Sequence, residues 1–134
     1  STTLRAKPQI TLSQTDDPIE VSFDPEHLRR IISNLLDNAL RHSEMKTGEP
    51  AAEIRISRDH LSQRTAIDVL DFGEGVPASE RAKLFEPFYT TVEKGTGLGL
   101  FMCKELCDFN GASLTYRFSD DGLSCFRITI SPNP

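Results

Sequence analysis

The run Gly95-Thr96-Gly97-Leu98-Gly99-Leu100 constrains this chain more than any other stretch. Glycines alternate with other residues, and an apolar, helix-like segment from Leu100 to Phe109 follows at once. Glycine lets backbone approach a ligand closely, and the first turn of a helix points unpaired N–H groups outward. Together they suit an anion such as phosphate. The run lacks the Gly-Lys-Ser/Thr ending of a Walker A loop, and it is not the Gly-x-Gly-x-x-Gly dinucleotide pattern. Glycine-rich turns also precede helices where no ligand binds, so the rest of the chain has to decide.

A chain of 134 residues suits a single domain, residues 1–134, around one core. Its formal net charge of −5 argues against nucleic-acid or membrane-surface partners, which are themselves anionic. No apolar run approaches the roughly 20 residues of a membrane span. The start at Ser-Thr-Thr, without Met, reads as a fragment of a longer chain. The odd cysteine count, Cys103, Cys107 and Cys125, fits buried structural thiols in a reducing cytoplasm.

Residues 9–12 and 19–23 read as short strands around a turn at Asp16-Asp17-Pro18. Asp24 is a good helix N-cap, with Pro25 at the first helical position. From Leu28, Ile31, Ile32, Leu35, Leu36, Ala39 and Leu40 keep the helical period, predicting a helix to about His42 and a polar loop over 43–52. Strands are predicted around Ile54 and Ile56, from Thr65 to Leu70, and near 112–118 and 123–130. A short helix is predicted over Ser79 to Leu84, and a longer one from about Leu98 to Phe109. The pattern is an α/β (α+β) two-layer sandwich: a mixed sheet with about three helices on one face.

Three places carry candidate chemistry. Asn34, Asn38 and Arg41 form a stripe along one edge of the first helix, with His42 between that stripe and the core. Amide oxygens one turn apart suit a hard cation such as Mg²⁺, and Arg41 suits phosphates; a solvated helix flank has the same pattern. Asp71 ends an apolar strand at Phe72-Gly73-Glu74-Gly75-Val76. There it is either a turn aspartate or an acceptor for an exocyclic amine such as that of adenine. Asp71-Phe72-Gly73 also matches a protein-kinase triplet, but the catalytic loop and lysine strand of that fold are missing. Phe85-Glu86-Pro87-Phe88-Tyr89 is either a small core cluster or the anchor of a mobile lid over 89–97.

The order Asn-Leu-Leu-Asp-Asn-Ala (34–39), Asp-Phe-Gly-Glu-Gly (71–75), Phe-Glu-Pro-Phe (85–88) and Gly-Thr-Gly-Leu-Gly-Leu (95–100) resembles the N, G1, F and G2 boxes of one family. That family is the catalytic and ATP-binding domain of bacterial sensor histidine kinases, within the GHKL superfamily. The resemblance covers residues 9 to 130, and the short span before the glycines resembles the NtrB-like and PilS-like branch. It implies the Bergerat fold, with ATP and Mg²⁺ as cofactors. By analogy Asn38 ligates Mg²⁺ and Asn34 supports metal or phosphates. Arg41 and Lys94 face the phosphates, and His42 lies beside the nucleotide. Asp71 takes the adenine amine, with Gly73, Gly75 and Val76 as that wall. Gly95, Thr96, Gly97, Leu98 and Gly99 offer backbone to the phosphates and hinge the lid, and Phe88 helps seat it. Phe72 departs from the polar residue usual after the aspartate, and the lid is short.

The resemblance implies transfer of the γ-phosphoryl group of ATP to a histidine on a separate dimerisation domain of the parent chain, in two-component signalling. None of His27, His42 and His60 stands in a phospho-acceptor context, so the fragment should bind ATP, be monomeric and have little activity alone. A response regulator, NtrC-like by analogy, is the implied downstream partner. The fragment is expected to be cytoplasmic, within a parent chain that can be membrane-anchored. A GHKL ATP hydrolase is the first rival, but it carries Glu where Asn34 stands, and an amide cannot take a proton from water. An anti-sigma-factor serine kinase is a second rival, and a degenerate scaffold a third.

Overall fold

The computed structural model describes residues 7–15, 18–90 and 97–132. Helix α1, Pro25–Thr47, starts where the sequence placed it: Asp24 caps it, accepting from the N–H groups of Glu26 and His27 at 2.9 and 3.0 Å. Its buried stripe is Ile31, Leu35, Ala39 and Ser43, four residues apart. The helix runs five residues past the predicted end at His42. The reason is Ser43, fully buried on the apolar stripe: its hydroxyl donates to the Ala51 carbonyl at 2.7 Å and accepts the Phe72 N–H at 2.9 Å. Gly48 ends the helix at φ +85°, with its N–H on the Glu44 carbonyl.

The strands are β1 (Gln9–Gln14), β2 (Ala51–Arg58), β3 (Thr65–Asp71), β4 (Ser113–Phe118) and β5 (Ser124–Ile130). They form one sheet in the order β1-β2-β3-β5-β4, with β1 parallel to β2 and the other pairs antiparallel. Helix α2 spans Gly99–Phe109. The third predicted helix is a 3-10 helix, Ala78–Lys83, so among the described residues the mixed two-layer sandwich has two α-helices. Residues 19–23 are not a strand. Val21 and Phe23 pack against the core, so their alternation is satisfied by burial without a pairing partner.

One sheet face meets the helices. Ala52, Ile67, Val69, Phe126, Ile128 and Leu114 cluster with Ile31, Leu35 and Ala39 of α1 and with Cys103 and Cys107 of α2. All three thiols are buried and free, as expected, and burial pushes Cys103 and Cys125 up to about 12. On the opposite face the cross-strand pair Asp68 and Arg127 is joined by two hydrogen bonds of 2.7 and 2.9 Å. Asn110 at the end of α2 accepts the Asp24 N–H at 2.9 Å, locking the start of α1 to the end of α2. Asp24→Ala should therefore cost about 1 kcal/mol and lower the thermal midpoint by a few degrees in a melting experiment, without changing ligand affinity.

Candidate functional site

Asp71 closes β3 and is 1% exposed. Its Oδ1 accepts the Gly73 N–H at 2.8 Å, while its buried Oδ2 has no hydrogen-bond partner. Burial pushes the carboxyl above the usual aspartate range; the Gly73 N–H, His42 and the Ser124 hydroxyl pull it back. The backbone turns here only with glycine: a Cβ on Gly73 would stand 2.8 Å from Asp71 Oδ1 and 3.0 Å from His42 Cβ. His42 is half-buried, and burial holds its imidazole below the usual histidine value. Phe72, the departure from the family pattern, is 38% exposed and leaves the Asp71 turn intact.

On α1 the Asn34 amide donates to the Arg30 carbonyl at 2.9 Å, and Asn38 Oδ1 accepts from Arg41 Nη2 at 2.8 Å. Asn38 Nδ2 is buried without a partner. The start of α2 lies against this edge: a Cβ on Gly99 would sit 3.4 Å from Asn34 Oδ1. The base of the predicted lid is clipped shut, with the Phe88 N–H on the Gly97 carbonyl at 2.9 Å. Both residues have left-handed backbone, φ +67° at Phe88 and +73° at Gly97. The Phe88 ring is 75% exposed, so its contact with the glycine run is made by backbone rather than ring.

These parts enclose a cavity of about 650 Å³, lined by Asn34, Asn38, Arg41, His42, Gly75, Val76, Gly97 and Gly99 from the predicted set. Asp71 and Gly73 lie just behind it, against His42. Leu98 precedes α2 at 38% exposure. Lys94, Gly95 and Thr96, and with them residues 91–96 of the lid expected over 89–97, lie outside the described residues. The cavity also recruits Asp37 and Phe126, which sequence reasoning missed, and Tyr89, which it placed only in the aromatic cluster beside Pro87. Asp37 had a legible signal, standing three residues after Asn34 on the same helix edge. The Tyr89 hydroxyl, donating to Glu80 Oε2 at 2.8 Å, had none.

An apolar-walled cavity with amides on one side, glycine backbone on another and a buried carboxylate behind suits a nucleotide. Residues 23–134 match the family described as histidine kinase-, DNA gyrase B-, and HSP90-like ATPase. The chain belongs to this family. It is similar to the sensor protein kinase PilS of Pseudomonas aeruginosa, 41% identical over 128 residues, which is 96% of this chain and 24% of that protein. The sensor histidine kinase RcsC of Escherichia coli is 40% identical over 99 residues, covering 69% of this chain and 10% of RcsC. The chain thus spans about a quarter or less of these curated relatives. Among solved structures, a mycobacterial sensor histidine kinase, MprB, aligns with TM-score 0.76 and 25% identity over 95% of this chain and 83% of that one. The catalytic domain of histidine kinase ThkA, at 24% identity and TM-score 0.74 over 95% of this chain and 82% of that one, shares the fold. The chain is therefore an ATP-binding catalytic domain of the sensor histidine kinase kind. No described helix is long and apolar enough to cross a membrane.

Proposed function

We propose that this domain binds Mg²⁺·ATP in the 650 Å³ cavity and donates the γ-phosphoryl group to a histidine on a separate dimerisation domain. One observation carries this. Among the described residues, the two buried side-chain polar atoms without hydrogen-bond partners are Asp71 Oδ2 and Asn38 Nδ2, and both belong to this site. Each such atom costs about 1–3 kcal/mol when left unmet, which a complementary ligand returns. The acceptor suits the adenine amine, and the donor suits a phosphate or water oxygen.

In this reading Asp71 holds the base, with His42, Gly75 and Val76 as the surrounding wall. Gly97 and Gly99 present backbone to the phosphates, joined by Gly95, Thr96 and Lys94 from outside the described residues. Arg41 leaves Asn38 to meet phosphate charge. The donor set fits Mg²⁺: Asn38 Oδ1 already attracts a cation, the Arg41 guanidinium, and an amide oxygen suits a hard ion. Asn38 would hold the ion, Asn34 would support it, and the bound ion would neutralise phosphate charge. The protein's part is positioning and electrostatics, which dominate phosphoryl transfer. Asn34 offers no general base, so activation of water is not supported. The 41% identity with the sensor protein kinase PilS supports the PilS-like branch, and the 24% share of that protein which this chain spans supports an acceptor domain elsewhere in a longer parent chain. A membrane-anchored parent and an NtrC-like response regulator belong to this reading by family analogy alone.

Calorimetric titration with ATP, with and without Mg²⁺, tests the site. The parent should bind more tightly with the ion. Asn38→Ala should bind with one affinity in both conditions; a variant that responds to Mg²⁺ as the parent does would remove Asn38 from the metal.

A further inference from the structure

Among the described residues, two carboxylates line the cavity, Asp37 and Glu80. A carboxylate facing a bare triphosphate repels it, so each must meet a cation or a neutral donor. Asp37 stands on α1 between Asn34 and Asn38, where a metal ion would take up its charge. Glu80 comes instead from the 3-10 helix, beside Val76, Pro77 and Leu84 of the cavity wall.

Hydrogen bonds fix where Glu80 lies along the cavity. On one side its N–H donates to the Pro77 carbonyl at 2.9 Å, so it stands one tight turn beyond Val76. Val76 is itself held by both backbone groups: its N–H donates to the Tyr116 hydroxyl at 2.9 Å, and its carbonyl accepts from Arg81 Nε at 3.1 Å. On the other side Glu80 Oε2 accepts the Tyr89 hydroxyl at 2.8 Å. Tyr89 follows Phe88, whose N–H is on the Gly97 carbonyl. The Glu80–Tyr89 bond therefore joins the wall that takes the base to the glycine run that takes the phosphates. In a nucleoside triphosphate the group between those two is the ribose.

The pair is set for that place. The Tyr89 side chain packs against the core, so its hydroxyl is an anchored donor. The Glu80 carboxylate holds the Tyr89 phenol above its ordinary value, so that proton stays in place. A carboxylate has about four acceptor positions, and Tyr89 uses one of them. Acidic side chains take ribose hydroxyls in unrelated nucleotide-binding folds by the same charge-assisted bond.

We propose that Glu80 binds the ribose, accepting from its 2′- and 3′-hydroxyls, and that Tyr89 is the positioning residue that aims the carboxylate. The inference deepens the ATP reading of the cavity and rests on it.

The experiment is calorimetric titration, in the presence of Mg²⁺, with ATP and with 2′,3′-dideoxy-ATP, which differ only in the two hydroxyls. The parent should prefer ATP by about tenfold, the scale of one hydrogen bond to a charged group. Glu80→Ala should bring that ratio to about one by weakening ATP alone. Its affinity for the dideoxy nucleotide should hold or rise, because a negative charge has left the cavity. Glu80→Gln keeps the size and one oxygen, should narrow the ratio to about threefold, and carries the same test should the Ala variant fail to fold. Tyr89→Phe keeps the packed ring, removes only the hydroxyl, and should narrow the ratio in the same direction. A Glu80 variant with the parent's ratio, whether both affinities hold or fall together, overturns the proposal: a merely structural carboxylate would affect both nucleotides alike. A parent that binds the two nucleotides equally also overturns it and leaves the ATP reading standing. A parent that binds neither contradicts the ATP reading itself.

Discussion

Asp71→Asn should lower ATP affinity by about a hundredfold. In the parent, Oδ1 is engaged by the Gly73 N–H and Oδ2 is unmet. An amide that keeps its oxygen on Gly73 must turn its NH₂ toward the adenine amine, so donor faces donor. The loss of a hydrogen bond to a charged group, about 1.5–3 kcal/mol, is thereby joined by a repulsive contact, and each 1.4 kcal/mol is a factor of ten. Unfolding will not mimic this result. Burial raises the Asp71 carboxyl above its ordinary value, so the folded state keeps that proton to higher pH than the unfolded chain does. Folding stability from this group therefore falls as pH rises from the ordinary aspartate value through the raised one, and stays lower above it. The neutral amide escapes that loss, so Asp71→Asn should melt at or above the parent temperature at pH 7. An unchanged calorimetric affinity would remove Asp71 from the adenine contact.

Gly97→Ala should abolish the phosphate share of binding while sparing the base. A Cβ at Gly97 would lie 2.3 Å from the Phe88 carbonyl carbon and 2.5 Å from its Cα, both backbone atoms that cannot turn aside. The left-handed backbone, φ +73°, adds about 1–2 kcal/mol for any residue with a Cβ. The clip between Phe88 and Gly97 must open, displacing the glycine run that begins α2 at Asn34. ATP affinity should fall by at least tenfold, toward that of adenosine, while adenosine affinity stays at the parent value. Calorimetry with the two ligands separates these effects. Equal losses for ATP and adenosine would mean that the run supports the whole cavity rather than the phosphates.

Much of this was legible because local rules decide it. The Asp24 cap, the Ile31-Leu35-Ala39 stripe, the aspartate at the end of an apolar strand and the glycines before α2 each depend on neighbours in sequence. The misses have physical causes. Ser43 is polar yet continues the buried stripe, because its hydroxyl joins the start of β2 to the residue after Asp71. Ile19 to Phe23 alternates like a strand but finds core rather than a partner edge. Tyr116 reads as an ordinary strand aromatic, since its hydrogen bonds to Val76 and Ser124 exist only after β4 closes on β5. The left-handed backbone of Phe88 has no sequence signal either, for a bulky residue rarely adopts it.

The central claim is tested most directly by phosphotransfer. The domain is incubated with γ-labelled ATP, Mg²⁺ and a separately supplied dimerisation domain carrying the acceptor histidine. The label is predicted to appear on that histidine as acid-labile phosphate, only when both domains are present, and to be lost with Asp71→Asn. Label released to water at the same rate with or without the acceptor domain, with none on histidine, would contradict the account.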